Sequence, residues 1–250
     1  MMSNMNVLST YGDRWQRSLH WQPSDPQQQG FQRLYEAILA ANQQVNLTRI
    51  TTPEDFWEKD LWDSLQGIEP WLSNSSEASA KALKVVDIGT GGGFPGLPIA
   101  LVFPHWAIAL LDATRKKIAA LETVCETLAI ANVSFLPQRA EQVAHQPLHR
   151  EAYDLALLRA VGPVNTCAEY ALPLLSLGGQ AVLYRGQWTA EEEAGLLAIL
   201  PRLGGQLGEV RSQTTPLTQG TRHNVILTKA ERTPDKYPRL PGIPAKTPLV

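Results

Sequence analysis

The chain has 250 residues, 44% of them hydrophobic and 18% charged, with a formal net charge of −2. This composition excludes a disordered chain and suffices for one full-sized domain, or one domain with an extension. It also excludes a bulk basic surface, so any nucleic-acid contact must come from a local patch.

Residues 1–29 are polar and glutamine-rich and close on PSDPQQQG, which predicts a poorly ordered lead-in. Met1, Met2 and Met5 are alternative starts, and no apolar signal region follows them. The longest apolar run, LPIALVF, is far below the ~20 residues of a membrane span. A cytoplasmic protein with no membrane contact is expected, and nothing in the sequence demands more than a monomer. From Phe31 to Asn42 the residues Phe31, Leu34, Tyr35, Ile38 and Leu39 recur at helical spacing. Thr52 before Pro53 supplies an N-cap and a first-turn proline, so a second helix starts there. Together they predict a helical extension over 30–72. SNSSEASAK (73–81) reads as a surface linker.

Strand and helix patterns then alternate. Strands are expected in ALKVVDIG, WAIALLDA, NVSFLPQ, AYDLALLRA, GGQAVLYRG, GQLGEVRSQ and RHNVILTKA. Helices are expected between most of them, which implies an α/β fold with a mostly parallel seven-stranded sheet over 83–230. No helix separates the last two strands, so the last strand should run antiparallel. Residues 231–250 form a proline-rich, extended tail. Lys229 just before it, with Arg232, Lys236, Arg239 and Lys246 within it, outnumber Glu231 and Asp235. Such a segment is suited either to RNA phosphates or to packing on its own domain.

The stretch VVDIGTGGGFPGLPIAL turns from the first strand into a helix through Gly89, Gly91, Gly92 and Gly93. Glycine permits left-handed backbone angles and close approach of a ligand, and ligands in open parallel sheets lie beyond the carboxyl ends of the strands. Two ligand classes fit. Gly91-x-Gly93-x-x-Gly96, with Asp112 at the end of the next strand, matches a dinucleotide fingerprint. Asp87, Gly89, Gly91 and Gly93 match the pattern of S-adenosylmethionine (SAM) sites. A carboxylate at Asp87 favours a cationic ligand over a pyrophosphate, and SAM is the preferred reading. Cys125 and Cys167 fall in apolar helical stretches and read as buried hydrophobes; no spacing points to a metal.

NLT (46–48), DSL (63–65), DIGTGGGFPGLPIAL (87–101), LDATRKKIAAL (111–121), RAEQ (139–142), YDLALLRAV (153–161), YRGQ (184–187) and TRHNVIL (221–227) occur in this order. With the KYPRLPGIPAKTPL ending, they resemble the RsmG (glucose-inhibited division protein B) family over about residues 30–250. The resemblance implies a Rossmann-like class I SAM-dependent methyltransferase that modifies N7 of a guanine in the decoding-centre loop of 16S ribosomal RNA. It places SAM contacts on Gly89, Phe94, Asp112, Ala113, Thr114, Ala140, Glu141 and Arg159. One departure stands out: the family often has His three residues before the DS pair, where this chain has Asp60.

Guanine N7 carries an in-plane lone pair and no proton, so its methylation needs positioning and electrostatics but no general base. The block after the fourth strand is LLRAV, with neither an Asn/Asp-Pro-Pro-Tyr tetrad nor a cysteine nucleophile. Arg159 stands there as the candidate catalytic residue, its fork suited to guanine O6 or a phosphate; a structural ion pair is the competing reading. Lys116, Arg139, Arg185 and Arg222 are the candidate RNA contacts, and 16S RNA or the small ribosomal subunit is the implied partner. A NAD-dependent oxidoreductase and a small-molecule methyltransferase are the alternatives. Trp57 and Trp62 suit either base stacking or a core.

Overall fold

The computed structural model describes residues 7–72 and 81–250. The expected linker at 73–81 lies outside the described residues but for Lys81. The strands are β1 Lys84–Ile88, β2 Ala107–Leu111, β3 Val133–Leu136, β4 Tyr153–Arg159, β5 Leu175–Arg185, β6 Gly205–Thr214 and β7 Thr221–Lys229. They form one seven-stranded sheet in the order β3-β2-β1-β4-β5-β7-β6. β1 to β5 pair in parallel, and β7 runs antiparallel to both β5 and β6. The expected α/β sheet with an antiparallel last strand is what forms. A short turn can join β6 to β7, whereas each parallel pair needs a crossover.

Successive residues of β1 enter different cores. Val85 packs with the N-terminal helices and Val86 with the helices on the opposite face. A strand covered on both sides is apolar at consecutive positions, which is why KVVDI shows no alternation. The chain builds β1, β2 and β3 outward, then returns to place β4 on the other side of β1. The reversal opens a crevice beyond the carboxyl ends of β1 and β4, where such folds bind ligands.

The lead-in expected to be poorly ordered is not so from Val7 onward. A helix spans Gly12–Leu19, and a longer one runs Asp25–Asn42, six residues earlier than the periodicity suggested. Ser24 and Gln27 form a capping box in which the Ser24 N–H donates to Gln27 Oε1 at 2.8 Å. The PSDPQQQG segment that predicted a poorly ordered lead-in is therefore a helix start. Trp15 is wholly buried, its ring 4.9 Å from that of Trp57 and 6.2 Å from that of Phe31. A few large aromatic anchors outweigh the polar average of the segment.

The helix predicted at Thr52 forms over 53–66, with the Asp55 N–H donating to Thr52 Oγ1 at 3.3 Å. Its middle, Phe56–Trp62, widens into a π-helix. Trp57 and Trp62 are fully buried, so the core reading holds for both. The helix docks on the strand ends: Tyr184 of β5 donates to the Ser64 carbonyl at 2.8 Å, and Gln66 and Asn224 exchange amide hydrogen bonds inside the core.

The tail packs on its own domain and is not extended throughout. Ile243–Lys246 forms one short helix, and Tyr237 and Leu249 are buried. Two of the basic residues turn inward: Lys229 donates to the Leu172 carbonyl at 2.7 Å, and Arg239 pairs with buried Glu169 at 2.7 Å; Arg232 pairs with Glu151 at 3.1 Å at the surface, and Lys236 and Lys246 are exposed. Both cysteines are buried free thiols. No described helix is long and apolar enough to cross a membrane.

Candidate active site

The crevice holds a cavity of about 230 Å³ lined by Ile88 and Gly89 at the end of β1, Leu111 to Ala113 at the end of β2, and Gln138 to Glu141 after β3. Val161, Tyr170 and Ala245 complete it. Gly89 has φ +72°, and a Cβ there would sit 2.9 Å from Val161 Cγ2. Only glycine satisfies both the left-handed angle and the close approach of the β4 loop. Asp112 ties the rim together. Its Oδ2 accepts from the Gly91 N–H at 3.0 Å and its Oδ1 from the Thr114 N–H at 2.7 Å. Each oxygen keeps a lone pair, enough to receive the hydroxyls of a ribose.

Asp87 corrects the sequence reading. It is completely buried and does not line the cavity. Its Oδ2 accepts from Thr90 Oγ1 at 2.6 Å and from the Gly96 N–H at 2.8 Å, so it braces the glycine turn from behind. A Cβ on Gly96 would lie 2.3 Å from Leu110 Cδ2 and 2.9 Å from that same carboxylate, so this glycine makes room for protein atoms. The brace also removes the dinucleotide reading: the N–H at the start of the helix Gly96–Val102 faces a carboxylate, where a pyrophosphate would be repelled.

Burial raises the Asp87 pKa to about 6 against the pull of Thr90, Gly96 and Arg159. Between about pH 4 and 6 the native state therefore holds a proton that the unfolded chain has lost. Stability falls as pH rises through that window, by about 3 kcal/mol from this site. Asp87→Asn is expected to remove this slope, read from urea unfolding at pH 4 and pH 7; an unchanged slope would assign the pH dependence elsewhere.

Phe94, a family-implied SAM contact, also lies outside the cavity. It is buried against Phe56 and beneath the Arg159 guanidinium, 5.6 Å from the ring centre. Glu141 is nearly buried, its Oε1 accepting from Arg139 Nη2 at 2.9 Å, Tyr170 Oη at 3.2 Å and the Gly242 N–H at 2.8 Å. Burial alone would raise its pKa, but Arg139 and Gly242 hold the carboxyl below the usual range. Arg139, expected as an RNA contact, is thus a wall residue of the cavity. Lys116 is exposed and lines neither this cavity nor the next.

A second, wider cleft of about 720 Å³ opens beside the first. Arg159 ends β4, Arg185 ends β5 and Arg222 opens antiparallel β7, so the topology delivers three guanidinium groups to one rim. Counter-charges come from Asp60 in the π-helix, Asp63 just after it, and Glu192 of the helix Ala190–Leu203. Arg159 Nη2 meets Asp60 Oδ1 at 2.8 Å and its Nη1 meets Asp63 Oδ2 at 3.3 Å; it also donates to the Lys59 carbonyl. Arg222 Nε meets Asp63 Oδ1 at 3.2 Å, and Arg185 pairs with Glu192. Burial raises the pKa of both Asp60 and Asp63, against the opposing pull of Arg159. Asp60, the departure noted in the sequence, is therefore an ion-pair partner of the candidate catalytic arginine. The cavity residues that sequence reasoning did not single out are Ile88, Leu111, Gln138, Val161, Tyr170 and Ala245; Val161 and Ala245 lie inside quoted family blocks, but nothing local marks them as facing the cavity.

The family model for GidB, "rRNA small subunit methyltransferase G", matches residues 27–211. The chain belongs to the GidB family. A "Ribosomal RNA small subunit methyltransferase G" of Trichormus variabilis is 50% identical over 98% of this chain and 99% of its own length. One of the same name from Trichodesmium erythraeum is 47% identical over 99% and 97%. Among solved structures, the O-methyltransferase TomG of Streptomyces achromogenes with SAM shares 13% identity at TM-score 0.55 over 92% of this chain and 100% of its own. A 16S rRNA (adenine(1408)-N(1))-methyltransferase from Catenulisporales acidiphilia, also with SAM, shares 17% at TM-score 0.51 over 66% and 92%. At those identities the likeness is one of fold: the GidB chain has the class I SAM methyltransferase architecture. Its cofactor is SAM, and the open carboxylate of Asp112 beside glycine-walled Gly89 fits the ribose and methionyl portions of that molecule.

Proposed function

We propose that this chain transfers a methyl group from SAM to N7 of a guanine in the decoding-centre loop of 16S ribosomal RNA, acting on the RNA or the small subunit as a cytoplasmic monomer. The adjacency of the two clefts carries the reading: Val161 walls the cofactor cavity, while Arg159 and Ala160, just before it, wall the arginine cleft.

Asp112 would hold the ribose, Gly89 and Ile88 would line the methionyl side, and Ala140 with Glu141 would flank the adenine. Bound SAM supplies a methyl group activated by its sulfonium. Arg185 and Arg222 face solvent at the cleft mouth and attract phosphates. Arg159, held rigid by Asp60 and Asp63, donates to guanine O6 and so fixes the purine plane with N7 toward the cofactor side. The N7–methyl bond would form as the S–methyl bond breaks, the cofactor leaving as the neutral thioether and no proton being removed, so positioning by these arginines is the main contribution.

The test is transfer of labelled methyl from SAM to small subunits from cells lacking the equivalent enzyme, followed by nucleoside analysis. Label in 7-methylguanosine at one position is the expected result. Label in another nucleoside, or acceptance by free small molecules in preference to RNA, overturns the assignment.

A further inference from the structure

The family model ends at residue 211, yet the cavity does not. Its outer side is closed by Ala245, from a segment that the sheet and its helices do not require. This segment is fastened at both ends and in the middle. At its start, Arg150 Nη1 donates to the Tyr237 carbonyl at 3.0 Å. In the middle, Arg239 clasps Glu169, whose side chain is fully buried, through Nε at 2.9 Å and Nη2 at 2.7 Å. Beyond it, Thr166 Oγ1 donates to the Pro244 carbonyl at 2.8 Å and Asn165 Nδ2 to the Leu249 carbonyl at 2.7 Å. Between these anchors the Gly242 N–H reaches Glu141 Oε1 at 2.8 Å, and Glu141 is itself a lining residue.

We infer that the C-terminal segment 237–249 is a built part of the SAM site, forming the wall at the Glu141 end of the cavity, where the adenine lies. The inference rests on the SAM reading of the cleft. Two observations support it together. Gly242 has φ +85°, a left-handed angle that turns its N–H toward Glu141. The turn brings exposed Ala245 over the cavity without burying it in the core. A ligand seated between Ala140, Glu141 and Ala245 contacts the segment and the domain at once. Its binding and the docking of the segment are then thermodynamically linked, each strengthening the other.

The decisive experiment is calorimetry of the full-length chain with SAM and, separately, with adenosine. Ala245→Glu adds bulk and a third carboxylate to a wall that already has Glu141 and Asp112, and touches no anchor. It is expected to weaken both ligands roughly tenfold or more, with the melting temperature of the free protein unchanged. Wild-type affinity in this variant overturns the inference. A second measurement protects the test against misfolding. In the unaltered chain, saturating SAM should slow tryptic cleavage after exposed Lys246, and an unchanged cleavage rate also overturns it. Failure of the wild-type chain to bind SAM at all would instead sink the cofactor reading on which the inference stands.

Discussion

Gly89→Asp is expected to abolish SAM binding. The backbone at Gly89 is at φ +72°, and a Cβ there would already press on Val161 Cγ2 at 2.9 Å. A side chain in the left-handed region costs of the order of 1–3 kcal/mol. To relieve the contact, the β4 loop must move away from β1, which opens the cavity wall at Val161. The added carboxylate then fills the space of the cofactor's methionyl end, beside Asp112. Strain and steric exclusion together predict an affinity more than a hundredfold below wild type, with the fold intact because Gly89 is exposed at a loop. Calorimetry checks the first part and near-ultraviolet circular dichroism the second. Retained micromolar binding would move the cofactor out of this cavity.

Arg159→Ala is expected to cost both stability and activity, and the two losses can be separated. Asp60 in the π-helix and Asp63 just after it face Arg159, and Asp60 is almost wholly buried with its Oδ2 unpartnered. Deleting the guanidinium strands Asp60 in a low-dielectric site and leaves Asp63 with Arg222 alone. Breaking a buried pair in this way costs about 3–5 kcal/mol, so the single variant should unfold at markedly lower urea. Arg159→Met combined with Asp60→Asn removes charge from both sides and should recover most of that stability. If Arg159 orients the guanine, methyl transfer stays at least a hundredfold down in the double variant while SAM affinity is near normal. Recovery of transfer along with stability would leave Arg159 as a structural ion pair only.

The sheet was legible because its signals are local and repeated. VVDI, AIALL and ALLR are apolar at consecutive positions, as strands covered on both faces must be. The glycine turn was legible as a place of close approach, and Asp112 as the next strand's terminal carboxylate. Its neighbours were harder. Asp87 carries a charge, and a charge in a motif invites a ligand. Its partners Thr90 and Gly96 lie within nine residues, but only their geometry shows that the carboxylate is sealed behind the turn. Phe94 was displaced for a similar reason, since an aromatic ring packs where an arginine from another strand lies over it.

The sequence alone determined the seven alternating elements, the antiparallel final strand, the cofactor turn and the family, because propensity, hydrophobic period and motif spacing are properties of neighbouring residues. Tertiary structure alone decided which charges are free. Asp60 and Arg159 are 99 residues apart, Glu141 and Gly242 are 101 apart, and Asp63 and Arg222 are 159 apart. Whether such a residue binds ligand, RNA or another side chain depends on contacts that no local pattern encodes. The polar lead-in and the basic tail both fold against the domain for the same reason. A few buried anchors, Trp15 at one end and Arg239 with Glu169 at the other, outweigh what average composition suggests.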